Sequence, residues 1–274
     1  MAGWLRKIGA PGRVAAPRVP DGEVVYAIGD IHGRLDLLKG MISFIDQDEV
    51  AIRKNPKTII FLGDYIDRGP DPKGVIDAII ALQRSGRHRV ITLMGNHESA
   101  LLSFLDNDQI GPDWAMHGGS STLRSYGVIP PSGAGGADTW RSARAAFGEA
   151  LSVEHLTFLR SLKLWEEVGD YLFVHAGVRP GVPMDRQSTR DLLWIRHDFL
   201  VSNRAHRKTI VHGHTSSPEP MEGDGRIGVD TGAYATGVLT AVRLEGEGRE
   251  FMQVSTPDLS TVEAAASNHR RNSA

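Results

Sequence analysis

The chain has 274 residues, a formal net charge of -2 and no cysteine. These facts exclude a disulfide framework and zinc-thiolate sites, and they give no general electrostatic reason to expect nucleic acid as a partner. With 41% hydrophobic and 23% charged residues, the chain can build one large core or two smaller ones.

No apolar run approaches the roughly 18–20 residues of a membrane helix, so no stable membrane insertion is expected. Residues 1–20 carry Arg6, Lys7, Arg13 and Arg18 and no acid. They read as a loose basic arm, with Trp4, Leu5 and Ile8 as candidates for a weak surface contact. Gly and Pro interrupt this start and leave no apolar core for a secretory signal. A reducing, cytoplasmic setting is the expectation.

EVVYAI (23–28) is β-rich and reads as a buried strand. It runs into GDIHG (29–33), where Asp30 and His32 lie two apart and can point the same way. A helical spacing follows over 35–45. TIIFL (58–62) is the next strand and enters GDYIDRG (63–69), which places Asp64, Asp67 and Arg68 within five positions. Charges this close repel or pair unless something balances them. A divalent cation suits Asp64, and a phosphate suits Arg68. GVIDAIIALQRSG (74–86) predicts an amphipathic helix ending at a glycine. HRVITLM (88–94) predicts a third strand opening into GNHE (95–98), where Asn96 offers an amide oxygen and His97 an imidazole. The first third thus repeats one unit: strand, Gly-flanked polar loop, helix. In open α/β sheets such loops gather ligands beyond the carboxyl ends of the strands.

Residues 106–150 break this pattern and read as an insertion folding over the rim as a cap. A plain linker would leave Trp114, Tyr126 and Trp140 in water. A helix is predicted over 152–162 with Ser152 as its N-cap. YLFVHAG (171–177) is again a strand running into a histidine, His175. DLLWIRHDFL (191–200) carries Arg196. KTIVHGHT (208–215) is a strand ending in His212 and His214. RIGVDTGA (226–233) and GVLTAVRLE (237–245) read as consecutive strands of an antiparallel or mixed sheet. From residue 256 the chain has few large apolar residues and reads as a poorly ordered tail.

The chain has 11 histidines. A histidine at a strand end is usually structural, and His88, His155, His206 and His269 are read so. Several of the others lie in equivalent Gly-flanked loops beside carboxylates and an asparagine, and coincidence accounts poorly for that. The N and O donors of Asp30, His32, Asp64, Asn96, His175 and His214 suit a dinuclear site of Mn, Fe or Zn.

Taken in order, GDIHG, GDYIDRG, GNHE, HAG and GHT resemble the motifs of the metal-dependent phosphoprotein phosphatases, within the calcineurin-like metallophosphoesterase superfamily. The resemblance covers about residues 22–245. It implies an α/β fold: a central β-sandwich flanked by helices, with a dimetal site on the strand-end loops. It further implies that Asp30 and His32 hold one metal, that Asp64 bridges, and that Asn96, His175 and His214 hold the other, with His212 as the ambiguity beside His214. Two ions, Mn²⁺ first among them, would activate a bridging hydroxide for direct attack on phosphorus. Arg68 and Arg196 would clamp phosphate, and His97, oriented by Asp67, would protonate the leaving group. The expected substrate is a phosphoprotein or small phosphorylated molecule. Serine/threonine phosphatase activity leads, because an acid at Asp67 suits a basic alkoxide leaving group; symmetrical diadenosine tetraphosphatase activity is the alternative.

Overall fold

A computed structural model describes residues 16–48, 57–132, 136–202 and 206–256. Two five-stranded sheets organise it. The first has the order β10-β9-β1-β2-β3 and the second β4-β5-β6-β8-β7. In the first, β1 (Val24–Ile28), β2 (Thr58–Phe61) and β3 (Arg89–Thr92) run parallel, and β9 (Val238–Glu245) and β10 (Gly248–Ser255) continue antiparallel on the β1 side. In the second, β5 (Tyr171–Val174), β6 (Thr209–His212) and β8 (Arg226–Gly228) are parallel, and β4 (Trp165–Val168) and β7 (Met221–Gly223) are antiparallel edges.

Alternation along the strands builds three apolar layers. Val25 and Ala27 of β1 and Ile60 of β2 face inward and pack with Phe173, Val211 and Ile227 between the sheets. Tyr26, Ile28, Ile59 and Phe61 point outward. They are covered by α1 (Leu35–Gln47), α2 (Pro72–Ser85) and α3 (Asn96–Asp106), through Leu38, Met41, Ile76, Ile79 and Leu101. On the far face, Leu172, Val174 and Ile210 pack under Leu192, Ile195 and Phe199. Burial on both faces explains why the parallel strands read as continuous apolar runs.

The segment 106–150 is a packed helical layer. Short helical turns run from Gly111 to Ser125, followed by α4 (Ala137–Ala150). Trp114, Tyr126, Trp140 and Phe147 are buried in the same layer as α3. α5 (Val153–Ser161) follows, and Ser152 caps it by accepting the His155 N–H. Two expectations differ from the structure. Residues 226–228 and 238–245 are not neighbours in one sheet. β8 lies in the second sheet and β9 in the first, because Gly232, in the left-handed region, starts a turn that carries the chain across the sandwich. Within the expected basic arm, Val19 is fully buried and its N–H donates to the Gly246 carbonyl at 3.1 Å. Residues 1–15 and the tail from 257 lie outside the described residues.

Gly29 is where the sheets close on each other at the carboxyl edge. A Cβ there would stand 2.3 Å from the Val229 carbonyl oxygen. Gly29→Ala is therefore expected to lower stability in urea by about 1–3 kcal/mol, the usual cost of overpacking. Gly148→Ala, within α4 and facing open space, is expected to raise stability by about 0.5–1 kcal/mol. Equal midpoints for Gly29→Ala and the parent would show that the two sheets are not held at this contact.

Candidate active site

Six loops meet at the carboxyl edge, each leaving a parallel strand. Those after β1, β2 and β3 bring Asp30, His32, Asp64, Asp67, Arg68, Asn96 and His97. Those after β5, β6 and β8 bring His175, His214 and Asp230. His32, Asp64 and His97 form one cluster, and Asp64, His175 and His214 a second; within each, the candidate ligand atoms lie within 4.8 Å of one another. Asp64 belongs to both. Its Oδ2 lies 3.5 Å from His32 Nε2, and its Oδ1 lies 3.5 Å from His175 Nε2. Asp30 accepts the His214 N–H at 3.1 Å.

The protons on these rings follow from their neighbours. His32 Nδ1 faces the Ile66 carbonyl at 2.7 Å, and His175 Nδ1 faces the Leu62 carbonyl at 2.9 Å. A carbonyl only accepts, so each Nδ1 donates and each Nε2 presents a lone pair to the site. This is the arrangement of metal-ligating imidazoles. Burial lowers the pKa of His32 to about 3 and that of His214 to about 2, and depresses that of His175. The bare His175 Nε2 then faces Asn96 Oδ1 at 2.9 Å. Acceptors that close repel unless a cation lies between them. The donor set therefore fits metal ions.

His97 is held differently. Its Nδ1 donates to Asp67 Oδ2 at 2.6 Å, and its Nε2 accepts from Arg68 Nη2 at 3.2 Å. Burial disfavours the imidazolium, but Asp64 and Asp67 outweigh it and raise the His97 pKa. Asp67 itself is gripped by the 106–150 segment. Trp114 Nε1 donates to Asp67 Oδ2 at 2.8 Å, and Thr122 Oγ1 both donates to Asp67 Oδ1 and accepts the Asp67 N–H. Arg196 Nε lies 3.1 Å from His214 Nε2. His212 turns away, its ring edge-on to Phe199. Among the described residues, the clusters use His214 and not His212.

Comparisons with known proteins give the family. The family described as calcineurin-like phosphoesterase matches residues 24–243. The chain belongs to the calcineurin-like phosphoesterase family. Its members are metal-dependent phosphoester hydrolases, and membership implies a dimetal site here. A bis(5'-nucleosyl)-tetraphosphatase PrpE [asymmetrical] of Anoxybacillus flavithermus is 25% identical, over 84% of this chain and 92% of that protein. A bis(5'-nucleosyl)-tetraphosphatase, symmetrical, of Neisseria gonorrhoeae is 28% identical, over 84% of this chain and 94% of that protein. The crystal structure of a cold-active protein-tyrosine phosphatase from a Shewanella species shares the fold. Its TM-score is 0.54 and its identity 18%, over 88% of this chain and 83% of that one. No described helix is long and apolar enough to cross a membrane.

The sequence reading passed over two phosphoesterase residues. Glu98, the last letter of GNHE, is fully buried and accepts the N–H groups of Gly95, Asp64, Tyr65 and Ile66. Burial, with Asp64 nearby, pushes its pKa up to about 8. Asp230 sits in VDTG after β8. It is buried beside Asp30, and burial raises its pKa to about 6. Its signal was the same strand-then-glycine pattern that marked the other loops.

Asp64→Asn is expected to lose metal and activity together, because one carboxylate serves both clusters. Two full metal equivalents in that protein would remove Asp64 from a bridging role. His212→Ala is expected to keep its metals. Trp114→Phe keeps the ring packing and removes one hydrogen bond to a charged group. Its kcat is expected to fall about 10-fold, from the ~1.5–3 kcal/mol such bonds carry, with metal content unchanged. Metal loss in Trp114→Phe would instead make Trp114 part of the metal scaffold.

Proposed function

We propose that this phosphoesterase hydrolyses dinucleoside tetraphosphates at a phosphoanhydride bond. The observation that carries this reading is a pair of guanidiniums, one on each side of the shared Asp64. Arg68 reaches the His32 cluster through His97, and Arg196 reaches the His175 cluster through His214. A tetraphosphate chain extends beyond the reacting phosphorus and offers oxygens to both, where a monoester offers one phosphate. The relatives named bis(5'-nucleosyl)-tetraphosphatases, matched along most of their length, support the same substrate class.

Asp30, His32 and Asp64 would hold one metal, and Asp64, Asn96, His175 and His214 the other. Bound ions supply Lewis acidity toward phosphate oxygens and lower the pKa of water. The chain's own residues do the rest. Arg68 and Arg196 bind and orient phosphate oxygens. Asp67 fixes the His97 ring with Nδ1 protonated, so that Nε2 is the atom that passes a proton to the leaving oxygen. Glu98 fixes the backbone of Gly95, Asp64, Tyr65 and Ile66, and with it the Asp64 carboxylate.

Serine/threonine phosphoprotein phosphatase activity is the second reading, and the Asp67–His97 pair favours it. A serine alkoxide is strongly basic and needs a proton more than a departing nucleotide does. Purified protein with added Mn²⁺, assayed in parallel on diadenosine tetraphosphate and a phosphoserine peptide, tests the two. The dinucleotide is expected to have the higher kcat/KM. Its products distinguish symmetrical cleavage, two ADP, from asymmetrical cleavage, ATP and AMP. A peptide preference would reverse the assignment. His97→Asn is expected to keep both metals and slow turnover by about 10²–10⁴, the worth of a positioned acid. The loss should be smaller for nitrophenyl phosphate, whose leaving group is stable without a proton. Equal losses on every substrate would move His97 out of proton transfer.

A further inference from the structure

Two exposed aromatic rings flank the active edge, and neither motif nor mechanism has used them. Tyr234 is 42% exposed and Trp194 is 50% exposed. Large apolar groups on a surface are common singly and need no function. These two differ in what they touch. The Tyr234 ring stands edge-on to His32, 5.4 Å between centroids, and the Arg68 guanidinium lies over its face at 4.6 Å. The Trp194 ring stands edge-on to His214 at 6.2 Å, two residues before Arg196. Phe44 and Trp165 are also exposed, and no ring contact to a site imidazole is recorded for either among the described residues. The active edge therefore carries a similar pair twice: a guanidinium that reaches a site histidine, and an exposed aromatic ring beside a histidine of the same cluster, His32 next to His97 in one case and His214 itself in the other. One pair adjoins the His32 cluster and the other the His175–His214 cluster.

Both rings sit on firm supports. Trp194 ends α6 (Thr189–Trp194) between buried Leu193 and buried Ile195. Tyr234 follows buried Ala233, whose carbonyl accepts from Arg34 Nη1 at 2.9 Å. Rings held this way lose little freedom when a flat ligand stacks on them. A phosphate-binding cation next to an aromatic platform is the combination that holds a nucleotide: the cation takes the phosphate and the ring takes the base. Two such combinations on opposite sides of one reacting centre suit a ligand with a nucleoside at each end.

We propose that Tyr234 and Trp194 are base-stacking platforms, one on each side of the metal clusters, for the two nucleosides of a dinucleoside polyphosphate. This rests on the substrate reading above. Stacking on a ring uses no hydrogen-bond code, so the site accepts different bases. Diguanosine and diadenosine tetraphosphate should have kcat/KM values within a few-fold of each other.

The test compares kcat and KM of the metal-loaded parent, Trp194→Ala, Trp194→Phe, Tyr234→Ala and Tyr234→Phe. The substrates are diadenosine tetraphosphate, adenosine 5'-tetraphosphate and p-nitrophenyl phosphate. Each alanine variant is expected to raise KM for the dinucleotide by about 5- to 100-fold, the range that loss of one base stack gives. The ratio of dinucleotide to nitrophenyl kcat/KM should fall at least about five-fold, and the phenylalanine variants should restore most of it. Adenosine tetraphosphate, with one base, should respond strongly to one alanine variant only. Dinucleotide cleavage by the parent with ratios within two-fold in both alanine variants overturns the platforms and leaves the substrate reading standing. Failure of the parent to cleave the dinucleotide, with good cleavage of a phosphoserine peptide, overturns both.

Discussion

The active edge depends on keeping one carboxylate, Asp64, in the interior of the molecule. It is 2% exposed, and burial alone would favour its neutral form. Its pKa is nevertheless held low, and His97, whose own pKa is raised beside Asp64 and Asp67, is the neighbouring imidazole that can carry the balancing charge. The Asp64 backbone is fixed with equal insistence. The Asp64 N–H donates to Glu98, and its carbonyl accepts the N–H groups of Ile31 and His32. Asp64 also has a positive φ, as do His32, Asp67, Arg68 and His214. A side chain pays steric strain of roughly 1–2 kcal/mol in that region. Such conformations survive only where surrounding contacts determine them. The sixth positive-φ residue other than glycine, Asp224, is in the β7–β8 turn. Strain is thus concentrated where ligand atoms must converge.

The segment 106–150 shows how a sequence feature can be legible in kind and misplaced in role. Its aromatic residues argued against a linker, and they are buried. Its contact with the chemistry, however, runs through the back of the GDYIDRG loop. Trp114 and Thr122 hold the carboxylate that holds His97. A buried carboxylate with three hydrogen-bonding partners cannot swing between orientations without leaving one of them unsatisfied, which is costly in a low-dielectric interior. The packed aromatic layer of Phe104, Trp114, Trp140 and Phe147 thereby fixes the angle of an imidazole at the rim. The stretch also touches Arg68, through the His117 and Gly118 carbonyls, which accept from Arg68 Nε and N–H, and through the Ser121 hydroxyl, which donates to the Arg68 carbonyl.

Most of the edge was legible because parallel strands announce themselves. β1, β2, β5 and β6 are buried on both faces and β3 at its carboxyl end, so each reads as an apolar run that stops at a polar, glycine-flanked loop. That placed every expected loop at one edge before any distance was known. Two things were not legible. Which strands share a sheet depends on the turn at Gly232, and two strands six to ten residues apart look alike whether they pair or separate. Glu98 carries no unusual spacing, and Asp230 has only the strand-then-glycine pattern that it shares with the other loops. Their importance is that backbone N–H groups and another carboxylate converge on them from distant loops, which is a property of the fold. Tyr234 and Trp194 escaped for a related reason: an exposed ring in a sequence is indistinguishable from a core ring.

The division of labour at this edge also explains why the fold names no substrate. The residues around the reacting phosphorus sit at the ends of strands inside a rigid sandwich, and they are charged, buried and mutually bonded. Apart from His97, placed to meet the leaving oxygen, none of them reaches beyond the phosphate. A protein-tyrosine phosphatase shares this fold, and the fold by itself names no substrate. Discrimination must come from groups that reach past the phosphate and touch the leaving group. Tyr234, on the crossover between the sheets, and Trp194, at the end of α6, lie outside the strand-loop-helix units that repeat along the chain. Asp64 is held by hydrogen bonds with Glu98, Ile31, His32 and the His97 N–H, and neither ring is among these partners. A centre that is over-determined and flanks that are not is a physical route by which one hydrolytic site serves chemically different substrates.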